Sequence, residues 1–244
     1  MSYINKLTNI LLSDNVVNDF HKAYNNDSEF KNQLLQDLPE IEDCKNQVQD
    51  NPWHIHDCLN HLLHSVMVMN TLSIEYDEKT RKMLAYVMFL HDIGKPACHI
   101  RRFAKNYGRE VDSFFNHNIK SAEITHRFLS HTDFEDTDKK IIEKLVYNHD
   151  IFMFIRLKPT NSPHRKVLTE ELFAEKLENL DSGKKGPLLM EYLLKVGWAD
   201  SSAQNPEMTQ GSFEVLNAMQ AMLEKYKKKE KQYENRNWSK TFGH

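Results

Sequence analysis

The stretch Met83-Leu84-Ala85-Tyr86-Val87-Met88-Phe89-Leu90-His91-Asp92-Ile93-Gly94-Lys95-Pro96 decides the reading of this chain. Eight apolar residues in succession, with Met83, Leu84, Val87 and Leu90 on one face, read as a helix that must be buried. Its start is marked by Asp77, an N-cap residue. Its stop is set at Gly94-Lys95-Pro96, where glycine can take a left-handed cap and proline prevents continuation. A histidine and an aspartate therefore stand at the inner end of a buried helix. An unpaired carboxylate there costs several kcal/mol unless a cation or hydrogen-bond donors compensate it. Two readings stay open on these residues alone: a satisfied core, with Asp92 capping a neighbouring helix, or an ion held between His91 and Asp92.

Outward from this helix the pattern remains helical. Residues 3–35 read as short helices, with Ile4, Leu7, Ile10 and Leu11 at helical spacing. Residues 36–53 are polar, hold Pro39 and Pro52, and read as a loop. A helix capped by Asp57 runs to about Leu72. Further helices are expected at about 117–131, 138–150, 169–180, 187–204 and 211–234. Residues 95–115 read as a long basic connection, and 151–168 as another loop with Pro159 and Pro163. Phe152–Leu157 is a short ambiguous apolar run, and no strand pattern stands out. Only seven glycines and seven prolines occur in 244 residues, too few turn-formers for an all-β fold. The expected fold is all-α, with residues 1–50 a helical appendage of the domain formed by 51–235.

A formal net charge of −3 supplies no global basic field, so no nucleic-acid partner is expected. Three cysteines without C-x-x-C spacing suit a reducing compartment. The apolar run 83–90 is far short of the ~20 residues of a membrane span. A cytoplasmic protein is expected, its oligomeric state open. The 13 histidines are the unusual feature, because histidine is the commonest metal ligand. Several fall in ordered contexts: His54-Ile-His-Asp57-Cys-Leu-Asn-His61 leading into a helix, Phe114-Phe115-Asn-His117, Lys144-Leu-Val-Tyr-Asn-His149-Asp150, and Asp200 at the end of the apolar run Leu193–Ala199.

The order His61, His91-Asp92, Asp200, with His91-Asp-Ile-Gly-Lys-Pro96 and the later His117 and His149, resembles the HD-domain superfamily of metal-dependent phosphohydrolases. More narrowly it looks like the HD domain carried by some bacterial tRNA nucleotidyltransferases. There the motif leads through a basic, glycine-containing loop to an aromatic-aromatic-x-His segment. The residues before His54 contain no strand with paired aspartates, so nucleotide addition is not implied. The resemblance implies an HD helical bundle. It makes His61, His91, Asp92 and Asp200 ligands of one metal, with His117 and His149 completing a second site and Asp92 bridging the two. Mixed imidazole and carboxylate donors suit Mn, Fe, Co, Ni or Zn, with Mg admitted.

The implied activity is hydrolysis of a nucleotide or similar small phosphoester, as a phosphomonoesterase or phosphodiesterase. Asp92 and Lys95 would act in catalysis, metal coordination lowering the pKa of water to supply hydroxide at neutral pH. Lys95 would face the phosphate. Arg101, Arg102 and Arg109 offer bidentate forks to the same substrate, against a solvated-loop reading for each. His54 and Asp57 read as supporting or capping residues, His64 as packing, and His99, His126, His131 and His164 as surface or loop residues. The Lys227–Lys229 run reads as the solvated end of the last helix. Two other functions stay open: an HD-type di-iron oxygenase, and a non-catalytic nucleotide-sensing module.

Overall fold

A helix apolar on every side must lie inside a layer of other helices. In the computed structural model of this chain, residues 83–90 are each at most 4% exposed. The structure describes residues 2–160, 164–181 and 185–242, with side chains to 233; Pro163 of the second expected loop lies outside them. Eleven α-helices are present among the described residues. Four precede the metal-type motifs: α1 (Tyr3–Leu11), α2 (Val16–Asn26), α3 (Ser28–Asp37) and α4 (Glu40–Asn46). α5 (Cys58–Leu72) and α6 (Glu78–Leu90) follow, then α7 (His117–Leu129) and α8 (Asp136–Asn148). α9 (Glu170–Leu180), α10 (Gly186–Ser202) and α11 (Gln210–Phe242) close the chain. The fold is all-α.

α6 is the central element, packed against α1, α5, α8 and α10. Each large apolar side chain removed from water there contributes roughly 1.5–3 kcal/mol. The first four helices share this core: Leu7, Leu11, Phe20, Leu34 and Leu38 are fully buried in the same cluster as Val87 and Leu90. Both expected caps form. Asp57 Oδ1 accepts from the Asn60 amide at 2.8 Å, and Asp77 Oδ1 from the Thr80 amide at 2.7 Å. Late in the chain, Gly197 lets α10 meet its neighbours closely. A Cβ there would stand 2.7 Å from the side chains of Leu216 and Phe152.

Three local expectations are corrected. Residues 36–53 are not all loop, because α4 forms after Pro39. Its first turn carries Glu40, Glu42 and Asp43, acids that suit a helix N-terminus, and it buries Ile41 and Cys44. The basic connection contains a hairpin of β1 (His99–Ala104) and β2 (Arg109–Phe114), antiparallel with Arg102 opposite Val111. β1 is exposed along nearly its whole length, so it carries no apolar alternation to announce a strand. Gly108, at φ +63°, supplies the left-handed residue its turn needs. A shorter parallel pair, β3 (Ile155–Arg156) with β4 (Lys166–Val167), takes up part of the ambiguous run.

The third correction concerns Gly94. α6 ends at Leu90, and Gly94 does not have a positive φ. Its role is close approach instead. A Cβ on Gly94 would fall 2.5 Å from the Ser121 amide nitrogen and 2.8 Å from the His117 carbonyl. The Gly94 amide donates to Ser121 Oγ at 2.9 Å. The turn after α6 is thus laid directly on the first turns of α7.

Candidate metal centre

The ends of five helices converge on Asp92. His61 lies in the first turns of α5, His91 and His149 follow the last residues of α6 and α8, His117 opens α7, and Asp200 lies near the end of α10. Asn116 precedes His117 at φ +61°, a left-handed conformation that asparagine tolerates better than most residues. It swings the chain from β2 into α7.

The ring orientations share one device. Nδ1 of His91, His117 and His149 each donates at 2.7 Å to the carbonyl three residues earlier, of Met88, Phe114 and Val146. His61 Nδ1 faces the Ala203 carbonyl at 3.4 Å. A carbonyl only accepts, so each neutral ring carries its proton on Nδ1 and turns an Nε2 lone pair inward. These lone pairs meet head on, at 3.3 Å between His61 and His91 and 3.1 Å between His117 and His149.

Asp92 divides its two oxygens between the pairs. Oδ2 lies 3.2 Å from His61 Nε2 and 3.3 Å from His91 Nε2. Oδ1 lies 3.0 Å from His117 Nε2 and 3.3 Å from His149 Nε2. Asp200 Oδ1 joins the first set, 3.0 Å from His61 Nε2 and 3.6 Å from His91 Nε2. All six predicted ligands are therefore brought together as two groups sharing Asp92. Metal–ligand bonds of about 2.1 Å put neighbouring donors roughly 3.0–3.4 Å apart, which is the spacing seen. Asp92 Oδ1 is buried without a hydrogen-bond partner, and facing lone pairs beside carboxylates repel unless a proton or a metal ion lies between. The donor set fits divalent transition metals.

Charge in the site is arranged around that carboxylate. Burial opposes the ionised form of Asp92, but Lys95 and the imidazoles outweigh it and hold its pKa well below the usual range. Asp200 behaves likewise through His61 and His91. Lys95 is 4% exposed. Its Nζ lies 2.5 Å from Asp92 Oδ2, and burial, which would neutralise it, is outweighed by that carboxylate.

The remaining candidates lie elsewhere. Arg101 and Arg109 stand on the hairpin, about half exposed, and both pair with Asp50 at 3.0 and 2.7 Å. Arg101 also reaches Asp112 at 3.3 Å. Arg102 donates to Ser113 Oγ at 2.7 Å and lies over the Phe115 ring. His64 stacks on His56 with centroids 4.2 Å apart. His99 lies on β1 and bonds Asp112, while His126 and His131 meet Glu143 and Asp37 at the surface. The sequence reading missed Gln49, whose Oε1 accepts from Lys95 Nζ at 2.8 Å. No spacing signal links residues 46 positions apart.

The helix ends of this all-helical bundle gather buried imidazoles around a shared carboxylate, an arrangement that could hold metal ions. A family model, HD domain, matches residues 58–184, just over half of the chain, and the chain belongs to that family. HD domains are in general metal-dependent phosphohydrolases. The match does not single out the tRNA nucleotidyltransferase branch, and no curated protein matches the chain. Asp200 lies beyond the matched residues and is placed in the cluster by geometry. Among the described residues no helix is long and apolar enough to cross a membrane.

Protons and metal compete for this cluster. In the protein stripped of metal, burial disfavours a charged His91, but Asp92 and Asp200 outweigh it and push its pKa up to about 10. A histidine raised above its unfolded value of about 6.5 stabilises the fold fully below that pH and loses this contribution as pH rises through 10. Metal binding must displace the proton. Apparent affinity should therefore rise about tenfold per pH unit between 6.5 and 8.5 for each proton released. Titration with Mn²⁺ or Zn²⁺ in a competing chelator measures this, and a flat profile would show that no proton is displaced.

Proposed function

We propose that this chain hydrolyses a phosphoester bond in a nucleotide or related small phosphorylated molecule. The observation that carries the reading is the division of Asp92 between two ligand sets, a carboxylate placed to serve two cations at once. His61, His91, Asp92 and Asp200 would hold one, and Asp92, His117 and His149 the other. When bound, such cations polarise the phosphoryl group and make water more acidic. The chain's own groups do the rest. The backbone carbonyls behind the imidazoles fix their tautomers, so the donors need no reorganisation. Lys95 keeps a positive charge beside the shared carboxylate, where charge develops on the phosphoryl oxygens. Arg102, which faces no carboxylate among the described residues, is the hairpin arginine most open to an anionic substrate; Arg101 and Arg109 would first have to leave Asp50.

Elemental analysis of the purified protein, followed by a phosphate-release screen over nucleotides and cyclic nucleotides with Mn, Ni, Co and Mg, tests the reading. The expected result is bound transition metal and turnover that a chelator stops. Iron with oxygen consumption and no phosphate release would replace it with the di-iron oxygenase. Nucleotide binding without turnover would replace it with a sensing module.

A further inference from the structure

A lysine ammonium has three protons and accepts none. The Lys95 ammonium meets three acceptors: Asp92 Oδ2 at 2.5 Å, Gln49 Oε1 at 2.8 Å and His54 Nε2 at 3.0 Å. The last two come from the segment 47–57, ahead of α5 and outside the residues matched by the family model. Both are themselves held. Gln49 is 4% exposed, and its Nε2 donates to the His56 carbonyl at 3.2 Å. His54 Nδ1 bonds Asn51 Oδ1 at 2.8 Å, which leaves Nε2 as an acceptor aimed at Lys95.

The segment is tied on every side. The Asp50 amide donates to Asp112 Oδ2 at 2.7 Å, and the Asp112 amide returns a bond to the Asp50 carbonyl at 2.9 Å, joining the segment to the hairpin. The Asn205 amide donates to the Trp53 carbonyl at 2.8 Å, and Asn205 Nδ2 to the Pro52 carbonyl at 2.9 Å, joining it to the turn after Asp200. The Cys58 amide donates to the Gln47 carbonyl at 3.0 Å, joining it to α5. A four-carbon side chain with about 2 kcal/mol of rotamer entropy is thus held at its ammonium end by this strap, in addition to its burial and its place over the Phe114 ring.

We infer that Gln49 and His54 are positioning residues that hold the Lys95 ammonium at the shared carboxylate, so that its charge is already in place when the phosphoester reacts. The inference rests on the hydrolytic reading above and assigns the strap a part in the reaction. Freed from these partners, Lys95 leaves the alignment that makes a fixed charge effective, and misplacement on the order of 1 Å costs about 100-fold in rate.

The test has two arms. In the first, the metal-loaded protein is treated with formaldehyde and a borohydride, and methylation of Lys95 is followed by peptide mass spectrometry. Lys95 should be among the slowest lysines in the wild type and at least about tenfold faster in Gln49→Ala and His54→Ala, given its burial and full set of acceptors. His54→Gln, which keeps an acceptor near the Nε2 position, should restore slow labelling. In the second arm, with the phosphoester found in the screen, both alanine variants should lose about 10–100-fold in kcat. KM should change less than kcat and metal content should stay at the wild-type level. The loss should vanish in a Lys95→Met background, because residues acting through one side chain are not additive. Unchanged labelling, additive losses with Lys95→Met, or labelling that rises with kcat unaffected would each overturn the inference. A wild type that releases phosphate from nothing overturns the hydrolytic reading, and the labelling arm then decides by itself whether the strap holds Lys95.

Discussion

Asp92→Ala should lose bound metal, lose at least about 1000-fold in phosphate release, and be less stable even when compared with metal-free wild type. The first two effects follow from position. Among the described residues Asp92 is the one whose oxygens face both imidazole pairs, and activation of water depends on the bound ions. The third follows from Lys95. Its side chain is 5% exposed and that of Asp92 3%, and removing one member of a buried pair leaves the other uncompensated at about 3–5 kcal/mol. The cost should be largely relieved in Asp92→Ala/Lys95→Met, which removes both charges. Urea unfolding of wild type, Asp92→Ala, Lys95→Met and the double variant in chelator, with elemental analysis alongside, separates lost ligation from lost pairing. A single variant as stable as its parent would mean that Lys95 finds another counter-charge or water. Far-UV helicity should persist, because the core around α6 contains no part of this pair.

Gly94→Ala is expected to be the most damaging single methyl in the chain's active region. The added carbon would meet backbone on three sides, at Ser121 N, the His117 carbonyl oxygen and the Lys120 carbonyl carbon, 2.5–2.8 Å away. No side chain can rotate aside, so α7 must move. Overpacking of this kind costs about 3 kcal/mol, which for a chain of this length lowers Tm by roughly 6–12 °C. The displacement also carries His117 away from Asp92 Oδ1, so the second ligand group should weaken before the first. Metal stoichiometry falling toward one per chain, with a matching loss of thermal stability, is the expected pair of results. Full stoichiometry at wild-type Tm would show that the turn can pivot without disturbing α7.

Most of the fold was legible because helices announce themselves locally. The unbroken run 83–90 and the caps Asp57 and Asp77 reflect short-range rules that tertiary context did not override. Gly94 was misread because one residue type serves two purposes. A left-handed cap and a site of close approach leave the same letter, and only the neighbouring helix distinguishes them. The hairpin was hidden because its outer strand is solvated and charged. Its stability comes from pairing with β2 and from Asp50 and Asp112, and none of these leaves a periodic trace. The six candidate ligands, and their division into two groups sharing Asp92, were legible through the family resemblance that their order and context carry. The distances among them were not, since those depend on how α7 and α8 are set against α6. Gln49 was invisible because its function is a single hydrogen bond across the fold.

The strap and α10 lie on either side of the residues by which the family is recognised. A fragment cut at 58 and 184 would keep the signature yet discard one carboxylate of the cluster, both acceptors that hold Lys95, and the first four helices against which α6 is buried. The structure that buries α6 and completes the cluster is therefore considerably longer than the stretch by which the family is recognised.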